Sequence, residues 1–191
     1  MKNNPAVSFA PFMLEDALLI WRFKSGDGTA LARIYEKHRG NLLRIAAALL
    51  NRNGLAEDVV HDVFLWLAQS PDKVRLRGNV RSFLATCVVN RVRNLNKAGQ
   101  RRETLPSDEA ATVASDDPGP ERWMMASERL ATLRRALAQL PYEQREVVIL
   151  HVHGGIRFRE IARSQDVSIN TVQSRYRYGL EKLRTELNGE L

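Results

Sequence analysis

The stretch FREIARSQDVSINTVQSRYRYGLEKLR, residues 158–184, has the spacing of a helix-turn-helix motif. A short helix is predicted over 157–164, followed by a tight connection at 165–167. Its inward positions are apolar: Phe158, Ile161 and Ala162. Ser168 is well suited to begin the next helix, because its hydroxyl can accept a free backbone N–H of the first turn. The motif predicts an all-helical unit that presents its second helix to a partner.

That second helix, predicted over 169–187, is amphipathic. Apolar side chains recur at steps of three or four residues and predict a buried stripe: Ile169, Val172, Tyr176, Leu180, Leu183 and Leu187. The opposite side of the first turns, the recognition face, carries residue types that read base edges or grip phosphates: Asn170, Thr171, Gln173, Ser174, Arg177 and Tyr178. A recognition helix enters the major groove with its N-terminal end first, so only the early turns need this chemistry. Tyr176 is expected to be buried while Tyr178 faces DNA.

Helical periodicity extends over almost the whole chain, and no run of alternating strand character is found. Helices are predicted near 14–25, 28–51, 55–69, 79–102, 124–138, 142–152, 157–164 and 169–187. Residues 103–121 differ, with six acidic residues, no basic ones and three prolines, a composition typical of a flexible linker. The predicted fold is therefore all-α, with two small helical domains over 28–102 and 122–191, an N-terminal extension over 1–27 and the linker between the domains.

Composition restricts the classes of function. The 191-residue chain has a net charge of +7, one cysteine (Cys87) and no stretch of 18 apolar residues, which excludes an internal disulfide and predicts a cytoplasmic protein without membrane insertion. No nucleophile–base pair or glycine-rich phosphate loop appears, so we predict neither an enzyme nor a small-molecule substrate. His151 and His153 lack a third ligand at suitable spacing, and no metal or cofactor is predicted.

Basic residues concentrate in the predicted helix 79–102. Residues 70–102 hold nine Lys and Arg against the single acid Asp72. One side of the helix, the basic face, is polar, cationic and free of acids: Thr86, Asn90, Arg93, Lys97 and Gln100. Three arginines widen the surface at its N-terminal side: Arg75, Arg77 and Arg81. Such a face can lie along a nucleic-acid strand, with amides for bases and cations for phosphates.

The helix predicted over 55–69 has a different character. We expect it to bury one stripe: Val59, Val60, Val63, Trp66 and Leu67. Its other side, the docking face, presents a leucine among acids: Asp58, His61, Asp62 and Leu65. An apolar spot inside a polar rim is typical of a protein–protein interface, although single exposed leucines are also common on protein surfaces.

Three stretches together resemble a bacterial sigma factor of the extracytoplasmic-function (ECF) group, the short members of the primary sigma factor family. AEDVVHDVFLWL (56–67) resembles the helix that docks on the β′ subunit of RNA polymerase. VRSFLATCVVNRVRNLNKAGQRR (80–102) resembles the helix that recognises and melts the −10 promoter element. Residues 137–184, which include Leu-Pro, Glu-Ile-Ala and Thr-Val-x-Ser-Arg, resemble the −35-binding domain.

The resemblance implies a role for each of the three surfaces. It implies polymerase contact at the docking face, through Asp58, His61, Asp62 and Leu65. It implies −10 contact at Asn90, Arg93, Asn94 and Lys97, with the 75–82 loop taking a flipped base, and −35 contact at Gln173, Ser174, Arg177 and Tyr178. The implied partners are core RNA polymerase (its β′ and β subunits), promoter DNA and an anti-sigma factor.

Two other functions stay open at the level of the sequence. A stand-alone helix-turn-helix regulator would explain 137–187 but neither the docking face nor the basic face, and it would normally require dimerisation. An interaction protein could instead use its basic surfaces to bind an acidic regulator. The leading prediction is a dissociable promoter-specificity subunit of RNA polymerase that needs both DNA contacts and the polymerase contact together.

Overall fold

A computed structural model describes residues 10–50, 54–74, 76, 79–103 and 131–188. Within these ranges the side chains are described except for those of residues 10–14 and 100–103. The described residues form helices and turns only: α1 (Ala10–Lys24), α2 (Gly28–Leu49), α3 (Ala56–Gln69), a short 3-10 turn (Pro71–Lys73), α4 (Val80–Glu103), α5 (described over 131–138), α6 (Tyr142–Val152), α7 (Phe158–Gln165) and α8 (Ile169–Asn188). The prediction of an all-α fold is confirmed. The predicted linker 103–121 lies almost wholly outside the described residues.

Helix α2 is the centre of the N-terminal half, where it packs against α1, α3 and α4. Asp27 caps its start, since its carboxylate accepts the Thr29 N–H at 2.9 Å. The core between these helices is aliphatic and fully buried, with Ile34, Leu42, Ile45 and Leu49 among its members. This tight bundle provides a rigid base for the surfaces of α3 and α4.

Helix α1 belongs to the same bundle, although its sequence lies in the predicted N-terminal extension. Leu19, Ile20 and Phe23 are buried in the shared core. Lys37 of α2 also reaches Asp16 at 2.7 Å, an acid that is itself almost fully buried. Apolar burial and this ion pair hold α1 on the first domain.

Helix α6 organises the C-terminal half, and its middle is buried on all sides. Six consecutive residues, 145–150, are buried, which is expected only for a helical segment surrounded by other elements. Its neighbours are α7 and α8 on one side and α2 of the N-terminal half on the other. Part of the burial of α6 therefore depends on contact between the two halves.

Three predicted core positions are wrong: Trp66, Ile169 and Leu180 are all exposed. In α8 the buried stripe is centred on Val172, Gly179 and Leu183. At 100° per residue, Ile169 and Leu180 lie about 60–80° around the helix from that centre. Trp66 lies about 90° from the centre of the buried stripe of α3 by the same geometry. The apolar residues do recur with helical spacing, but the predicted stripes included residues that lie at the margin of the buried side of each helix.

Candidate nucleic-acid interface

Local hydrogen bonds define the turn between α7 and α8. Asp166 ends α7 in the left-handed conformation, with φ 53°, which Asp tolerates better than most residues. The Ser168 hydroxyl then accepts the Thr171 N–H at 3.0 Å, as predicted for the cap of the next helix. These contacts fix the direction in which α8 leaves the domain.

A glycine allows α8 to approach α6 closely. Gly179 is buried, and a Cβ atom at this position would lie 3.0 Å from Cγ2 of Val148. Tyr176, next to this contact, is half-buried against the stacked rings of His151 and Phe158, with centroid distances of 5.0 and 5.1 Å. One side of α8 is therefore packed against the rest of the domain, and its opposite side is free to contact a partner.

The recognition face is open to solvent at its N-terminal turns. Asn170, Gln173, Arg177 and Tyr178 are exposed, whereas Thr171 and Ser174 are half-buried. Tyr178 is 50% exposed, and the Arg177 guanidinium lies 5.0 Å from its ring centroid. The face therefore presents amides, a cation and an aromatic ring together, which is chemistry suited to base edges and phosphates.

The basic face on α4 is only partly open. Asn90, Asn94 and Lys97 are exposed. Arg93 is not, because its guanidinium binds the Glu146 carboxylate of α6 through Nε, at 2.8 Å, and through Nη2. Two further residues of the predicted −10 surface, Arg75 and Arg77, lie outside the described residues.

A second set of contacts joins the two halves at the turn after α6. The His153 carbonyl accepts N–H groups from Arg81, at 3.0 and 2.7 Å, and from Asn41, at 2.9 Å. The Ser82 hydroxyl lies 3.4 Å from the Gly154 carbonyl. Gly154 permits this turn, since a Cβ there would lie 2.4 Å from the Leu150 carbonyl oxygen.

The docking face on α3 has the predicted mixture of groups. Leu65 is 47% exposed, and Asp58 and His61 are exposed beside it. Asp62 is partly shielded by an ion pair with Arg91 of α4 at 2.6 Å. The exposed Trp66 enlarges the apolar area beyond the single leucine that the sequence predicted.

Two models of the sigma-70 family match the chain over these surfaces. The model of sigma-70 region 2 matches residues 34–102, which include α3 and α4, and that of sigma-70 region 4 matches residues 130–183, which include α6, α7 and most of α8. The chain belongs to the sigma-70 family. Members of this family are DNA-binding transcription initiation factors rather than enzymes.

Relatives place this sigma factor in the ECF group, as the sequence predicted. The RNA polymerase sigma factor NccH of Alcaligenes xylosoxydans xylosoxydans is 29% identical over 171 residues, which cover 88% of this chain and 92% of NccH. The ECF RNA polymerase sigma factor SigD of Mycobacterium tuberculosis is 27% identical over 168 residues, covering 85% of this chain and 79% of SigD.

Two solved structures share the fold. CnrH, in complex with the cytosolic domain of CnrY, superposes with a TM-score of 0.67 at 21% identity, over 93% of this chain and 99% of CnrH. The sigma factor RpoE of Bartonella quintana, in complex with the anti-sigma factor NepR, superposes with a TM-score of 0.64 at 21% identity, over 82% of this chain and 96% of RpoE.

Two of the residues that join the halves, Glu146 and Gln165, were not identified from the sequence. Glu146 is 2% exposed, and Gln165 donates to its carboxylate at 2.6 Å while accepting from Arg175 at 2.8 Å. The available signal in the sequence was an acid directly before the apolar run 147–150. Hydrogen bonding to Glu146 raises the pKa of Arg93, so this guanidinium is held firmly in its charged form.

Other titratable groups do not indicate a reactive or metal-binding centre. Burial raises the pKa of Cys87 to about 11, which keeps the thiol protonated and unreactive at neutral pH. In the part of the chain that the structure describes, no group of three His, Cys, Asp or Glu residues could hold a metal ion. Across those same residues, no helix combines the length and apolarity needed to cross a membrane.

Proposed function

We propose that this sigma factor directs core RNA polymerase to promoters through three surfaces. The recognition face of α8 reads the −35 element, and Asn90, Arg93, Asn94 and Lys97 of α4, together with Arg75 and Arg77, contact the −10 element. The docking face of α3 contacts the polymerase. The observation that supports the proposal most strongly is the open recognition face on a capped helix-turn-helix, within a chain that also carries region 2 of the family.

Core polymerase, through its β′ and β subunits, would hold the two halves at a fixed separation. Each weak DNA contact then raises the effective concentration of the other. The −10 element would be captured as a single strand, with one base extruded towards the 75–82 region. An anti-sigma factor is a further proposed partner, since RpoE of Bartonella quintana was solved with one. We propose a cytoplasmic location, where polymerase and promoter are found.

A binding experiment separates this function from that of a stand-alone regulator. Fluorescent promoter DNA is titrated with the protein alone and with the protein plus core polymerase. We expect weak binding by the protein alone and tight, sequence-specific binding only with polymerase. A stand-alone regulator would give tight, specific binding without polymerase, together with a dimer in size-exclusion chromatography.

A further inference from the structure

We propose that Gln165 and Arg175 are positioning residues for −35 recognition. Together with Glu146 they form a series of two hydrogen bonds, the α8 relay, which fixes the rotation of α8 about its own axis. The inference rests on the proposed −35 function of the recognition face. It deepens that function, because it gives a role to two residues outside that face and directs one cation of α8 towards the protein instead of the DNA.

The α8 relay joins three helices of the C-terminal half. Gln165, the last residue of α7, donates through Nε2 to Oε1 of Glu146 on α6 at 2.6 Å. The side-chain oxygen of Gln165 accepts from Nη1 of Arg175 on α8 at 2.8 Å. Glu146 is 2% exposed, and the other two residues are half-buried. The relay therefore connects the interior of the domain to the second turn of α8.

An amide matches the middle position of the relay. The Glu146 carboxylate only accepts hydrogen bonds, and the Arg175 guanidinium only donates them. Gln165 offers a donor and an acceptor, so one side chain satisfies both neighbours. A carboxylate at position 165 would face Glu146 with like charge, and an ammonium would face Arg175 with like charge, both of which are costly. The chemistry of its two neighbours therefore identifies Gln165 as the link between them.

Arg175 lies at the flank of the packed side of α8, away from the recognition face. At 100° per residue it is about 60° from Val172, whereas Arg177 is about 140° from Val172. Tyr176 lies about 40° to the other side of Val172, where its ring packs against that of His151. The packed side of α8 is thus held at both flanks, and rotation in either direction would break one of the two contacts.

The relay also gives α8 a second point of attachment to α6. At the first point, Gly179 allows close approach to Val148. The relay attaches Arg175, four residues or about 6 Å earlier along the helix axis. Helix α7, by contrast, has eight residues and buries two of them. Since so short a helix offers little apolar area, the polar relay contributes to the orientation of α8 relative to its neighbours.

Rotation of α8 determines which of its atoms reach the base edges. Base discrimination in the major groove depends on the alignment of hydrogen-bonding groups. Attraction to the phosphates depends chiefly on charge, which rotation leaves unchanged. Loss of the relay should therefore reduce discrimination among −35 sequences more than it reduces the overall attraction to DNA.

The test measures binding of the holoenzyme to a promoter found by run-off transcription and to fragments that each change one −35 base pair. Gln165→Leu removes both bonds of the relay, and we expect it to lower the discrimination about threefold or more. Ser164→Ala, on the same turn of α7, is the matched control, because the Ser164 hydroxyl bonds within α7 to the Ile161 carbonyl. It should leave the discrimination unchanged, and both variants should bind core polymerase as the wild type does.

An exchange of the acid and the amide separates the relay from a general loss of structure. Gln165→Glu combined with Glu146→Gln keeps the charge of the protein and both bonds, with the amide of the second position now donating to the first. We expect this double variant to recover the discrimination that Gln165→Leu loses. Failure of the double variant to exceed Gln165→Leu, or unchanged discrimination in a folded Gln165→Leu protein, overturns the relay.

Arg175→Met distinguishes positioning from a direct phosphate contact. As a positioning residue, Arg175 neutralises no phosphate, so the variant should lose discrimination while the salt dependence of holoenzyme binding stays that of the wild type. A phosphate contact would instead weaken binding to all fragments alike and reduce the slope of log affinity against log salt concentration by about one. That result would overturn the assignment of Arg175.

Arg177→Ala in the same binding assay separates failure of the relay from failure of the proposed function. Loss of discrimination with Arg177→Ala but not with Gln165→Leu overturns the relay and leaves the −35 role of α8 standing. No loss with either variant contradicts the −35 role of the recognition face, and the relay fails with it. Loss with both variants, and recovery in the exchanged pair, supports the relay.

Discussion

At the scale of single residues, small changes in volume or charge decide how the helices meet. Gly179 sets the approach of α8 to α6, and Ser168 sets the start of α8. The sequence predicted the serine, because a cap depends only on its own neighbours. It did not predict the glycine, because the need for a missing Cβ arises from Val148, which lies 31 positions earlier in the chain.

Gly179→Ala should destabilise the protein. The added Cβ would lie 3.0 Å from Val148, and overpacking of this kind costs about 1–3 kcal/mol. Gly99→Ala is the matched control, since no atom lies within 4 Å of a Cβ at this helical position and alanine should add about 0.5–1 kcal/mol there. Urea unfolding measures both, and equal effects of the two substitutions would show that α8 can move away from α6 without cost.

Two histidines, the buried His38 and the half-buried His153, should make the protein sensitive to acid. Burial lowers the pKa of His38 and of His153, so in the folded state both stay neutral below about pH 6.5, where unfolded histidine gains a proton. Stability is then fully present above about pH 6.5 and is lost as the pH falls through the lower folded pKa values.

The measurement is the melting temperature between pH 7.5 and 5.5, for the wild type and for His38→Gln. The wild type should melt at a lower temperature at pH 5.5, and His38→Gln should lose part of that dependence. Asp27, whose pKa is also lowered, titrates below this window. A melting temperature that does not change between the two pH values would contradict the lowered pKa values of these two histidines.

At the scale of elements, the boundaries and faces of the helices were largely available from the sequence. The predicted 142–152 coincides with α6, and α2, α3, α4, α7 and α8 end within two residues of their predicted limits. Apolar periodicity and helix caps depend on residues within one helix, so both can be recognised from a short stretch of sequence. The centre of each buried stripe was less accurate, as Leu180 shows, because it depends on the position of the neighbouring helix.

Arg177→Ala should weaken promoter binding by the holoenzyme at the −35 element. An arginine bound to a base edge contributes about 1–3 kcal/mol of discrimination, so we expect a tenfold or greater loss on the specific promoter and relaxed preference at one base position. Lys182→Ala, an exposed change further along the same helix, is the control. Equal losses for the two variants would indicate general charge attraction rather than base reading.

Leu65→Ala should weaken the complex with core polymerase. Leu65 is the apolar centre of the docking face, and truncation of such an anchor commonly costs more than 1 kcal/mol, which lowers affinity at least about fivefold. Leu133→Ala on α5, another exposed leucine, is the control. Binding is measured by fluorescence anisotropy with labelled protein, and unchanged affinity for Leu65→Ala would remove α3 from the polymerase interface.

At the scale of the whole molecule, the arrangement of the two halves was beyond the sequence. The sequence identified the basic face and the recognition face, but it did not show that the basic face meets an acid of the other half. Glu146 lies between Arg145 and the apolar run 147–150, and only the packed structure joins it to Arg93 across 53 positions. Such long-range pairs leave no periodic signal, whereas helix faces do.

Run-off transcription tests the central claim most directly. Core RNA polymerase is combined with this protein and a library of promoter fragments, and the transcripts are sequenced. The account predicts specific initiation that requires the protein, depends on both a −35 and a −10 element, and is lost with Arg93→Ala plus Lys97→Ala. The account would be contradicted if no fragment in the library gave protein-dependent transcripts. Full activity of the Arg93→Ala plus Lys97→Ala variant would also contradict it.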